Sequence, residues 1–351
     1  MSDLCCQLIR AALCGTTVEP ASDEEWWQCY EMARRQQVLA MTFPVMSTMP
    51  KEQRPSFKVW NRWMVYTQDT IQQSIEKKMT IKTINKWLAE EGLSTMIIKG
   101  FSVASLYPNI MLRESCDIDI YSGSMSDAVN ACFVKHGVPM DNPDGHHWHF
   151  YFDNITVEHH FSFGNGRIKR DLLIPESLLR QLAVTDQRRT SLPAIFFPNR
   201  LFSAIYVGSH AFEHFMNEKI ELRHIVDWML VLKQLSADDA KRLSEAKKGT
   251  HWGHFFDTMT AIGLHRFGLP AEWFPAEEME MAEGIDPELE QRVWNDTTDL
   301  LRMKRSENST VRRLTVAGRM LKNRWKFNAF SDIGVGRYLW NEFRGWIKAK
   351  D

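Results

Sequence analysis

Apolar residues recur every three to four positions from Ser2 to about Gly92. Trp60, Met64, Thr67, Ile71, Ile75 and Met79, continued by Ile84, Trp87 and Leu88, predict one stripe of a long helix. Between Leu93 and Phe163 the period changes. Residues 96–98 are a short apolar run, Asp117-Ile118-Asp119-Ile120 alternates, and so do 147–152 and 155–163, which flank the turn pair Asp153-Asn154. These read as strands, the last two as a hairpin. From about Asp171 helical spacing returns, punctuated by Pro175, Pro193, Pro198, Pro270, Pro275 and Pro287, and Gly164-Asn165-Gly166 marks the exit from the sheet. The pattern predicts an α+β protein. Residues 1–92 form an N-terminal helical region, 93–166 a small mixed-sheet core, and 167–351 a C-terminal helical region.

Composition narrows the class without naming a chemistry. With 351 residues and 44% apolar content the chain can bury substantial cores. A net charge of −1 calls for neither nucleic acid nor a membrane surface. The six cysteines are scattered with no C-x-x-C pair, which reads as free thiols in a reducing compartment. No basic leader precedes the first apolar segment, which contains Asp3 and Arg10, and no run approaches a membrane span. A cytoplasmic protein is expected.

The chemistry concentrates in MIIKGFSVASLYPNIMLRESCDIDI, residues 96–120. On a strand, Asp117 and Asp119 leave one face while Ile118 and Ile120 enter the core on the other. Two carboxylates so close repel, and a hard cation such as Mg²⁺ is the usual reason to keep them together. Upstream, Lys99-Gly100 breaks a strand and 101–106 reads as the first turns of a helix, a geometry that offers backbone N–H groups to an anion. Lys99 adds a point charge and Ser102 a hydroxyl. Arg113, four residues before Asp117, is placed to fork onto a phosphate or to pair with one of the carboxylates.

The order apolar-Lys-Gly, Leu-Tyr-Pro, Arg, Asp-Ile-Asp-Ile resembles the uncharacterised bacterial nucleotidyltransferase family of the polymerase-beta-type superfamily. Phe101 stands where the superfamily's general signature has a small residue, and the gap to Asp117 is longer than usual. The Lys-Gly variant with a long gap is similar to that of the uncharacterised family itself. The resemblance implies a Mg²⁺-dependent transferase acting on an NTP, with a third carboxylate on a later strand.

Alternation supplies that carboxylate. Thr156, Glu158 and His160 share one strand face, and Val157, His159 and Phe161 the other, so Glu158 is the candidate third ligand. In the resembled family this strand carries an acidic residue followed two positions later by His, which sets His160 beside Glu158. His147 and His149 also face one way and are expected to flank the acidic cleft.

Farther on, residues 199–217 predict a helix with His210 and His214 at i, i+4, a spacing that can hold zinc. No acidic residue stands where an H-E-x-x-H motif needs it, which favours buried histidines bonded to neighbours. The helix 221–235 carries Arg223, His224 and Asp227 on one stripe. LFSAIYVGSHAFEHF and LRHIVDWMLVL also resemble the family, and the helix pair is expected to wall the nucleotide cleft. Residues 272–299 are acidic, whereas 302–351 hold thirteen Lys or Arg against four Asp or Glu, interleaved with Trp325, Phe327, Phe330, Trp340, Phe343 and Trp346. An anionic partner is one reading of that tail; aromatics packed inward against the acidic segment is the other.

The expected mechanism follows. Asp117, Asp119 and Glu158 hold Mg²⁺, Lys99, Gly100, Ser102 and Arg113 offset phosphate charge, and a hydroxyl acceptor of unknown identity, small molecule or protein, attacks the α-phosphorus of the NTP. A non-catalytic nucleotide-binding module and a helical interaction protein acting through its basic tail are the rivals.

Overall fold

The sheet that carries the aspartates lies between helices contributed from both sides of it in the chain. The computed structural model describes residues 3–115, 117–141, 143, 145–164, 174–299, 318, 321–332, 334 and 336. In chain order the elements are α1 (Asp3–Cys14), α2 (Asp23–Arg35), α3 (Leu39–Thr48), α4 (Phe57–Glu90), β1 (Thr95–Ile97), α5 (Phe101–Ala104), β2 (Asp117–Tyr121), α6 (Ser126–Lys135), β3 (His147–Phe152) and β4 (Ile155–His160). They continue with α7 (Glu176–Ala183), β5 (Arg188–Arg189), β6 (Ile195–Phe197), α8 (Arg200–Asn217), α9 (Leu222–Leu232), α10 (Ala237–Lys247), α11 (His251–His265), α12 (Ala276–Glu283), α13 (Pro287–Thr298) and α14 (Arg324–Phe330). The α+β class and its helical flanks are as the sequence predicts.

The six strands run in the order β3-β4-β2-β1-β6-β5. β3 and β4 form the expected antiparallel hairpin, with Asp153 at a positive φ of 51° in its turn. β4 then lies parallel to β2, setting Asp119 opposite Glu158, while β3 sets His149 opposite Glu158 and His147 opposite His160. One face of the sheet is apolar: Ile118, Ile120, Phe150 and Val157 pack with Val129 and Phe133 of α6 and with Ile81, Ile84 and Leu88 of α4. Burying Val157 and Ile118 fully contributes roughly 1.5–3 kcal/mol each. Period two then turns Asp119, Glu158, His160, His147 and His149 to the opposite face, while His159 stays on the apolar one.

Helices from before and after the sheet share a second core. Trp26 and Trp63 from the first part of the chain join Phe202, Phe215, Trp228 and Phe255 from the last. α4 contributes to both cores, through Val59 and Trp63 at one end and through Ile81, Ile84 and Leu88 at the other. Its middle differs from the predicted stripe. Ile75 and Met79 are 43% and 56% exposed, and the buried positions there are Thr67, Thr70, Ser74 and Lys77. The reason lies opposite them, in the loop that leads into β2. Ser74 Oγ donates to the Met111 carbonyl at 3.0 Å, and Lys77 Nζ donates to the carbonyl and hydroxyl of Ser115. Loop carbonyls buried away from water need donors, so polar side chains take the inward positions.

No helix among the described residues is long and apolar enough to cross a membrane. Of the basic tail, Phe327 and Phe330 are buried and Lys326 pairs with Asp296 of the acidic segment at 2.6 Å, aromatics inward as one of the two readings has it. Trp340, Phe343 and Trp346 lie outside the described residues.

Candidate active site

Asp119 is the centre of the polar face. Its side chain is fully buried, and Oδ1 receives both Lys99 Nζ at 2.9 Å and His160 Nε2 at 3.0 Å. Burial pushes the carboxyl up, but Lys99 and the His160 hydrogen bond outweigh it, so the group titrates well below the usual carboxylate range. Oδ2 is buried with no partner. A charged oxygen left bare in the interior is costly unless something binds it. Gly100 turns beside it: φ +60° is a backbone conformation that side chains rarely adopt, and a Cβ there would lie in ordinary contact, 3.8 Å from Asp119 Oδ2 and 3.5 Å from the Asp117 carbonyl. The helix that follows, α5, is only four residues long.

Glu158 stands beside Asp119 on the neighbouring strand. Burial, and then the negative charge of Asp119, raise its carboxyl to about 8. Its Oε2 lies 3.7 Å from His160 Nε2, and its Oε1 lies 3.8 Å from His147 Nε2 and 3.7 Å from His149 Nε2. Burial followed by the neighbouring histidines lowers His147 to about 4, so the ring is neutral at physiological pH. Asp119, Glu158 and His160 each bring a donor atom within 4.8 Å of the others. Asp117 is half-buried on the same face, but among the described residues no such grouping includes it.

Lys99 is held as a cation. Burial opposes its charge, yet Asp119, then Tyr206 and Asp117, raise its pKa above the ordinary value. Ser102 is buried, with Oγ 3.5 Å from the Lys99 carbonyl, and lines a small hollow with Arg188, Arg200 and Ser203 rather than joining the carboxylates.

Arg113 corrects one of the two alternatives the sequence offered, that it pairs with Asp117 or Asp119, while its Nη1 is buried with no hydrogen-bond partner among the described residues. Its Nε and Nη2 grip the two oxygens of Asp227 in α9 at 2.8 and 2.7 Å, with both side chains buried, so the guanidinium forks onto neither Asp117 nor Asp119. Tyr107 donates to the same carboxylate at 2.7 Å. Arg223 does approach Asp227, at 3.7 Å, but as a secondary partner. The adjacent Glu114 is anchored too, accepting from Tyr66 at 2.7 Å and from the Ala40 amide at 3.1 Å. With Lys77 on Ser115, the segment before β2 is clamped to α3, α4 and α9. Glu114, Lys77 and Tyr66 carried no signal in the sequence beyond the unbroken polar run Arg113-Glu114-Ser115.

His210 and His214 pack ring to ring at 4.5 Å, and α9 brings His224 to them as a third imidazole. Burial holds all three below the ordinary histidine pKa. His224 Nδ1 accepts the Glu221 amide at 3.0 Å, closing a capping box. The ring proton of neutral His224 therefore sits on Nε2, which makes that atom a donor and not a metal ligand.

A strand, a Lys-Gly turn and a paired-carboxylate strand facing a neighbouring acidic strand meet the family whose model is described as an uncharacterised nucleotidyltransferase, which matches residues 22–268. The chain belongs to that family. Its match reaches from α2 to just beyond α11 and so takes in the sheet, the clamp and the α8–α9 pair. No curated protein and no solved structure matches the chain.

Proposed function

We propose that this nucleotidyltransferase family member moves a nucleoside monophosphate from an NTP to a hydroxyl acceptor in a Mg²⁺-dependent reaction. The observation that carries the proposal is the Asp119–Glu158 pair: Asp119 Oδ2 is buried beside Gly100 with no N–H on it, and the one hydrogen bond open between the two carboxyls needs Glu158 to be protonated. Asp117, Asp119 and Glu158 would hold the ion, an all-oxygen donor set of the kind Mg²⁺ takes. When bound, it supplies charge neutralisation to the triphosphate and acidity to the acceptor hydroxyl. Lys99 is oriented by Asp119 toward the same space and offsets phosphate charge as a fixed cation. His160 donates to Asp119 and keeps the carboxylate ionised and in one rotamer. The clamp around Arg113 sets where β2 begins, and so where Asp117 and Asp119 stand. The acceptor is a small molecule or a protein hydroxyl.

The test pairs binding with turnover. Wild-type protein should be stabilised against heat by an NTP only with Mg²⁺ present and should release pyrophosphate when its acceptor is supplied. Asp119→Asn should lower turnover by at least the roughly 10²–10³-fold that one preorganised electrostatic contact is worth. Stabilisation by NTP that is equal with and without Mg²⁺, and equal in Asp119→Asn, sinks the proposal.

A further inference from the structure

At the outer edge of the sheet, two histidines of β3 and the Glu158 carboxylate of β4 bring three donor atoms together. His147 Nε2 and His149 Nε2 share a hydrogen bond of 3.1 Å, one ring donating and the other accepting, and Glu158 Oε1 lies 3.8 and 3.7 Å from them. The two distances to Glu158 are too long for hydrogen bonds. The point equidistant from the corners of a triangle with these sides lies about 2.1 Å from each corner, inside the 2.0–2.2 Å range of zinc–imidazole and zinc–carboxylate bonds.

We propose that His147, His149 and Glu158 form a second divalent-cation site, a two-imidazole, one-carboxylate set that takes Zn²⁺ or a similar borderline transition ion in preference to Mg²⁺. Backbone geometry supports it. His147 and His149 are i, i+2 on β3 and so share a face, and Glu158 sits directly opposite His149 in the ladder. The tautomers permit it as well. One of the two Nε2 atoms carries the proton of their shared hydrogen bond, and an ion entering the triangle displaces it to Nδ1, which on His147 has no other partner to hold it back. This is what separates the set from the His210, His214 and His224 group, where the Glu221 amide commits His224 Nε2 to its proton.

Donor chemistry gives the selectivity. Mg²⁺ demands hard oxygen ligands, whereas imidazole suits zinc, copper, iron and nickel. Three protein ligands leave a coordination position open, as catalytic zinc sites do. Glu158 presents Oε1 to the histidines and Oε2 toward His160, so one carboxylate serves both neighbourhoods. Service of this ion to the transfer, as the partner of an acceptor hydroxyl, rests on the reading of the site proposed above. The binding claim stands on the triangle alone.

Co²⁺ is the probe, titrated into the full chain after stripping with a chelator. Wild type is expected to bind one equivalent with the visible bands of a four- or five-coordinate ion, released by Zn²⁺ and not by a large excess of Mg²⁺. His147→Gln and His149→Gln, each checked for an unchanged melting profile, should weaken binding by more than the roughly 10–100-fold that loss of an outer-shell partner costs. His214→Gln should leave the spectrum as it is. Unchanged binding in both strand variants, loss of the bands in His214→Gln, or displacement by Mg²⁺ overturns the site. A Co²⁺ site kept by a chain that binds no NTP supports this proposal and defeats the transferase reading; NTP binding with no Co²⁺ bands does the reverse.

Discussion

Asp119 and Asp227 are both buried aspartates beside cations, and they differ in what is left over. Asp227 has both oxygens taken, Oδ1 by Tyr107 and Arg113, Oδ2 by Arg113 with Arg223 behind it. Asp119 has one oxygen taken twice and the other not at all. A buried charge whose hydrogen-bonding capacity is filled by the protein fixes geometry and does nothing else. A buried charge held in place but left partly unfilled has capacity to spare, and this is why the proposed ion is placed on Asp119 and not on Asp227.

The largest expected effect tests the closed cluster. Arg113→Met strands Asp227 in the interior, and urea denaturation should register a loss of about 3–5 kcal/mol. If stability holds and triphosphate affinity falls instead, Arg113 works on phosphates and the contrast between the two aspartates collapses. The next largest tests the open one. Asp117 is half-buried, so Asp117→Asn should stay within about 0.5 kcal/mol of wild-type stability while Mg²⁺-dependent NTP binding, followed by calorimetry, weakens at least tenfold. A strong loss of stability would place Asp117 with Asp227 as a structural carboxylate.

The smallest effect concerns protons on the α9 side. His224 is buried and held below its ordinary pKa, so as pH falls through about 6.5 the unfolded chain takes up a proton that the folded chain refuses. Its contribution to stability is therefore complete above that pH and lost below it, by up to about 1.4 kcal/mol per pH unit. Glutamine at the same capping-box position can accept the Glu221 amide without titrating, so His224→Gln should flatten the fall in unfolding free energy between pH 6.5 and 5. An unchanged slope would mean that His224 protonates freely in the folded protein.

What the sequence made legible is whatever period two controls. Alternation in β2 and β4 set Asp117, Asp119, Glu158 and His160 on one face and Ile118, Val157 and His159 on the other, and the ladder keeps that assignment. What stayed illegible depends on partners far along the chain. Lys77 is buried because a loop 38 positions away turns its carbonyls toward α4, and Arg113 turns two of its three nitrogens to a carboxylate 114 positions away. A helical stripe read from apolar residues alone put Ile75 and Met79 inside, when the surface facing that turn of α4 is polar. His147 and His149 were legible as neighbours of the cleft, but the meeting of their Nε2 atoms depends on side-chain rotamers that no spacing rule encodes.

The 34 residues of α4 span about 50 Å as one unbroken helix, with one end in the helical core and the other in the core beneath the sheet. Its middle turns hold the loop that leads to the aspartates. A rod seated at both ends cannot loosen at one without straining the other, so the two cores are joined into one cooperative unit. Substitutions in the tryptophan-lined core, far from the carboxylates, are thereby communicated to β2 as a change in how long the aspartate-bearing strand stays in register.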